Sequence, residues 1–125
     1  MALSALGEQR EKFQRMLDQL NDVFMQGINL FSNDLKFNIT TYLLCVNTRV
    51  EVWQAMNIII NSGLLSAPDV TAIASKLSKT SPRSLFDWDG FHSTDKNSLI
   101  EVSVYLDFDE DTNRPYFAIY IDKTF

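Results

Sequence analysis

The segment Phe86-Asp87-Trp88-Asp89-Gly90-Phe91-His92 interleaves three large aromatics with two carboxylates and ends on the chain's one histidine. Aromatics on irregular backbone can bury in a partner as anchors, while flanking acids steer the encounter toward a basic surface. The same rings can instead cover an open edge of the core, with Gly90 making the turn. His92 near Asp89 is a pairing used in acid–base catalysis, but no nucleophile, second histidine or phosphate loop accompanies it, so an ordinary hydrogen bond is expected. A second acidic group, Asp107, Asp109, Glu110 and Asp111, continues to Asn113 with the opening spacing of a calcium loop. Thr112 and Ala118 stand where such a loop needs glycine and a bidentate glutamate, so a solvated turn without a metal is expected.

These acids belong to a lopsided charge distribution. The net charge is -5, yet residues 1–84 hold eight basic and seven acidic side chains, and residues 85–125 hold three basic and nine acidic ones. A negative field of that kind repels phosphate and attracts cationic surfaces. The single cysteine, Cys45, excludes an intrachain disulfide or a cysteine-rich zinc module, and its run Leu43-Leu44-Cys45-Val46 gives it the role of a small buried hydrophobe. No cofactor is implied. No stretch approaches the ~18 consecutive apolar residues of a membrane helix, and the first residues lack a signal-peptide pattern, so the expectation is a soluble cytoplasmic protein.

With 46% apolar residues among 125, the chain has mass for one hydrophobic core, and residues 1–125 read as a single α+β domain. Leu3, Leu6, Phe13, Leu17, Leu20 and Phe24 form a helical stripe, widened by Met16 and Val23, with Gly27 placed to end the helix. The width favours packing within the domain over self-association, leaving a monomer or a homodimer. From Leu35 to Val46 the period changes to two, which predicts a strand. Thr48 with Glu51 is a capping box before the stripe Val52, Trp53, Met56, Ile59 and Ile60, stopped at Gly63. Ser66 and Pro68 open a third helix over residues 67–79. Ile100 to Phe108 and Tyr116 to Asp122 alternate like the strands of an antiparallel hairpin. The fold class is therefore α+β: three helices packed on a small antiparallel sheet, in the order α-β-α-α-β-β.

That order resembles winged-helix DNA-binding domains in topology, without a sequence motif. The resemblance implies a recognition helix over 67–79 offering Thr71, Ser75, Lys76 and Lys79, with Arg83 beyond it, and a wing made by the final hairpin. The tip of that wing is Asp109-Glu110-Asp111, which would push a duplex away, so nucleic acid is disfavoured. Tyr105, Tyr116, Phe117 and Tyr120 offer a stacking platform, but no basic groove accompanies them. The leading expectation is a non-enzymatic acidic module of the inhibitor, immunity, antitoxin or chaperone type that engages a basic protein, possible targets being nucleases or nucleic-acid-binding proteins. Asp87, Asp89, Asp107, Asp109, Glu110 and Asp111 supply attraction, and Trp88 with Phe86 or Phe91 supplies anchoring.

Overall fold

The computed structural model describes residues 2–25, 27–79 and 90–124. Three helices, α1 (Ala2–Phe24), α2 (Arg49–Ile60) and α3 (Ala67–Lys79), combine with five strands: β1 (Asn29–Asp34), β2 (Ile39–Val46), β3 (Phe91–His92), β4 (Ile100–Phe108) and β5 (Pro115–Lys123). This is the α+β class expected from the sequence, with two strands more than the periodicity marks.

The strands form one antiparallel sheet in the order β1-β2-β5-β4-β3. Its centre is β5, where Ile119 pairs with Leu44 on one side and Val104 on the other. Because side chains alternate across a strand, these three share a face with Ile121, Val102, Phe117 and Val46, and all seven are buried. The helices cover this face. Phe13, Met16 and Leu20 of α1, Val52, Met56 and Ile59 of α2, and Ile73 of α3 join the same apolar cluster. Val23, expected in the α1 stripe, is half exposed, and α1 ends on Met25 in a left-handed conformation (φ 52°), two residues before Gly27. The Asn21 side chain then accepts a hydrogen bond from the Ile28 amide at 2.6 Å and turns the chain toward β1.

Helix α2 begins as its sequence predicts. Thr48 is the N-cap, its Oγ1 accepting from the Glu51 amide at 3.2 Å and donating to the Glu51 carboxylate at 2.8 Å. Thr48→Ala is expected to lower stability by about 1 kcal/mol. Urea unfolding checks it: an unmoved midpoint would show that the cap contributes nothing.

The strand expected from Leu35 begins four residues later. Residues 35–38 are a turn, with Leu35 and Phe37 exposed, and the preceding residues 29–34 form the separate edge strand β1. Turn chemistry overrides the alternation here. The Asp34 carboxylate accepts from the amides of Lys36 (3.0 Å) and Phe37 (3.4 Å), while Asn38 takes the left-handed conformation (φ 55°) that closes the turn. A bulge between Leu30 and Ser32 kinks β1, a device that makes an edge less open to pairing with other chains.

The segment after Gly90 is held by a buried carboxylate in the first turn of α3. Asp69 is 4% exposed. It accepts from the backbone amides of Thr94 (3.2 Å) and Asp95 (3.3 Å) and from the Ser98 hydroxyl (2.6 Å). The Ser66 hydroxyl donates to Asp95 at 2.7 Å, and that bond, with another from the Asn97 amide, holds the Asp95 carboxyl below its ordinary pKa. A depressed carboxylate pKa adds stability above its unfolded value and loses it as pH falls through the folded value, so this contact weakens in acid.

Candidate functional site

The second face of the sheet is covered by no helix among the described residues. Register brings together side chains from every strand. Glu101, Asp122 and Thr41 form one cross-strand row; Ser103, Tyr120 and Leu43 form the next; Tyr105, Ala118 and Cys45 the third; Asp107 and Tyr116 the fourth. His92 of β3 lies opposite Ser103, and Ser32 of β1 lies opposite Thr41.

Four rings cross this face edge to face. His92 and Tyr105 have centroids 5.3 Å apart, Tyr105 and Tyr120 5.8 Å, and Tyr120 and Phe31 5.3 Å, with interplanar angles of 74°, 72° and 77°. Tilted pairs at such spacing are favoured by the ring quadrupoles. His92 is fixed through both nitrogens, Nδ1 to the Ser103 hydroxyl at 2.8 Å and Nε2 to the Tyr105 hydroxyl at 2.9 Å. Beside the row lies a hollow of about 620 Å³, walled by Phe31, Tyr105 and Tyr120 and edged by Asp107 and Asp122, with Ala118 on its floor.

Two carboxylates of this face, Asp122 and Asp107, accept from neutral donors. The Thr41 hydroxyl donates to Asp122 at 2.6 Å, and the Phe108 amide (2.8 Å) and the Tyr116 hydroxyl (3.3 Å) donate to Asp107. Glu101 stands directly opposite Asp122, a like-charge pair that costs stability. Desolvation first, then the Asp107 charge, raises the Tyr116 phenol pKa, and the same two causes in the same order raise that of the Cys45 thiol. Cys45 is exposed on this face, not buried as its apolar run suggests, because it alternates with the inward Leu44 and Val46. Its raised pKa keeps it a thiol, without the activation that nucleophilic cysteines require.

The face ends at the β4–β5 turn. There Asp109 accepts from the amides of Asp111 (2.9 Å) and Thr112 (3.4 Å), and Asn113 (φ 56°) donates its amide to the Asp109 carbonyl at 2.7 Å. Asp109, Glu110 and Asp111 are all exposed. Asp107, Asp109 and Glu110 rim a larger concavity of about 960 Å³ that also includes Cys45, Tyr116 and Arg114. The hairpin expected as a wing is thus the middle of the sheet, flanked by β2 and β3.

Of the residues expected at a site, the structure gathers Asp107, Asp109, Glu110 and Asp111 at one end of the open face. Phe91 belongs elsewhere: opposite Val104 it faces the helical side, half buried, with the Lys76 ammonium 5.3 Å from its ring centroid. Phe86, Asp87, Trp88, Asp89 and Arg83 lie outside the described residues. On α3, Thr71 is exposed and Ser75 half buried. Sequence reasoning missed Phe31, Glu101 and Asp122 as members of the face, and His92 as a fixed part of the aromatic row. Alternation in β4 and β5 marks Glu101, Tyr105, Tyr120 and Asp122 as facing one way; no local signal brings Phe31 and His92 to them.

No protein-family model, curated protein or solved structure matches the chain. Among the described residues no helix is long and apolar enough to cross a membrane.

Proposed function

We propose that this protein is a non-enzymatic cytoplasmic binding module that engages a basic protein surface through the open sheet face and the acidic β4–β5 turn. Inhibitors, immunity proteins, antitoxins and chaperones work in this way, and a nuclease or another nucleic-acid-binding protein is a fitting target because it already displays a cationic surface. The observation that carries the reading is the placing of Glu101, Asp107 and Asp122 on the same face as a row of aromatic rings, with the turn acids Asp109, Glu110 and Asp111 at the end of that face. Carboxylates at a rim govern encounter rate and specificity, and rings within it supply area that can be desolvated.

The test measures association of the protein with a synthetic peptide of alternating arginine and leucine, and with duplex DNA, at low and physiological salt. Peptide association should slow as salt screens the acids, and duplex DNA should not bind. Neutralising Asp107, Asp109, Glu110 and Asp111 together should lower the association rate about tenfold with a smaller change in dissociation. Duplex binding that falls steeply with salt, or an association rate indifferent to all four acids, would overturn the reading.

A further inference from the structure

We infer that the hollow between Phe31, Tyr105 and Tyr120 takes a single guanidinium group, an arginine side chain of the basic partner. The inference rests on the function proposed above and narrows it to one site and one chemistry. Three observations carry it. The hollow, about 620 Å³, is aromatic on its walls and anionic at its edges, with Asp122 next to Tyr120 along β5 and Asp107, three cross-strand rows away, next to Tyr105 along β4. The rings meet edge to face, with interplanar angles of 72° and 77°, so they do not all stack on one another and ring surface is left to line the hollow. Glu101 and Asp122 face each other across β4 and β5, and like charges directly opposite are unfavourable. A cation bound beside them removes that repulsion.

The occupant follows from charge and shape. A phosphate would meet carboxylates, and a purely apolar side chain would strip water from Asp107 and Asp122 without replacing it. A lysine ammonium satisfies the charge as a compact, strongly hydrated point. Guanidinium satisfies it as a plane that stacks on a ring and presents parallel N–H groups to a carboxylate, which matches both components of this wall. Asp122 already accepts from Thr41 through Oδ1 at 2.6 Å, which orients the carboxylate and leaves Oδ2 for the incoming donor.

Proton NMR of the tyrosine rings tests the site with N-acetyl-argininamide, N-acetyl-lysinamide and tetramethylammonium as probes. The arginine probe should shift Tyr105 and Tyr120 saturably and bind several-fold more tightly than either other cation. Asp122→Asn should weaken it about tenfold, the size expected for losing one charge-assisted contact, while the protein unfolds at an equal or higher temperature because the like-charge pair is gone. Tyr105→Leu should weaken it by a similar factor without Asp122 being touched. Asp109→Asn with Asp111→Asn, outside the hollow, should leave arginine binding unchanged yet slow association of the arginine–leucine peptide. Tighter binding of tetramethylammonium or lysine, absence of a saturable shift, or equal weakening by the turn variants would overturn the inference. If the small probe fails while the peptide still associates through the turn acids, the hollow is wrong and the proposed function stands; if both fail, both fall.

Discussion

Replacing Ile119 with alanine is expected to be among the most damaging single changes in the protein, lowering unfolding free energy by about 2–5 kcal/mol. Ile119 is fully buried in the central strand and lies between Leu44 of β2 and Val104 of β4 on the face the helices cover. Removing three carbons there forfeits their transfer from water and leaves a cavity that strands fixed on both sides cannot close. Since single domains are stable by only ~5–15 kcal/mol, the variant would lie near the threshold of folding. Ile119→Val, which removes one methylene, should cost about 0.5–1.5 kcal/mol. Urea unfolding of both variants checks the gradation: midpoints should fall in order while the slope against denaturant is kept. A loss below about 1 kcal/mol for alanine would show that the centre of the sheet can collapse around the gap.

The second large effect is expected at a polar residue. Asp69→Ala should cost about 3 kcal/mol, because the amides of Thr94 and Asp95 and the Ser98 hydroxyl would each lose their acceptor, a side chain that is itself buried. Asp69→Asn keeps an acceptor oxygen and should recover part of the loss, though its amide N–H₂ faces donors. The damage should also be local. Residues 93–99 connect β3 to β4, so amide exchange there should accelerate more than in β5. Equal acceleration across the sheet, or a midpoint within error of the parent, would show that Asp69 does not pin this connection.

The two cases mark what was legible in the sequence. Ile119 sits in the run Phe117, Ile119, Ile121, whose alternation gives both the strand and its buried side, and the final hairpin follows from the same pattern in Ile100 to Phe108. The start of α2 was legible because its chemistry is local, Thr48 with Glu51, and the span of α3 matches residues 67–79 with Pro68 in its first turn, although the Ser66 hydroxyl reaches Asp95 rather than its own helix. Asp69 reads as an acid in a first helical turn, and nothing nearby reveals that its partners are 25 to 29 residues away. Strand β1 is hidden for two reasons. All six of its residues are exposed, so no buried side imposes a period, and the bulge shifts what alternation there is. The alternation of Leu35 and Phe37 with their neighbours then masks the turn that Asp34 and Asn38 make. Strand β3 is two residues long and leaves no pattern.

The open face shows the same division. Tyr105, Tyr120, Asp107 and the turn acids could be assigned to strands from alternation, and their negative field follows from a count of charges. Their company could not, because Phe31 reaches Tyr120 and Asp122 meets Thr41 only once segments more than eighty residues apart have paired. The apolar run around Cys45 misleads for a related reason. An apolar run in a sheet covered on one side still has every second residue facing out.

The position of β5 also governs the order in which the molecule can be assembled. The strand at the middle of the sheet is the last one along the sequence, and both of its neighbours, β2 and β4, wait for it. During synthesis the helices and the β1–β2 hairpin can form early, but the apolar sides of Leu44, Val46, Val102 and Val104 find no common platform until residues 115–123 leave the ribosome. A nascent chain stalled short of that point holds two separated strand pairs with unsatisfied inner edges, the condition in which chaperone capture or misassembly with a neighbouring chain competes with folding.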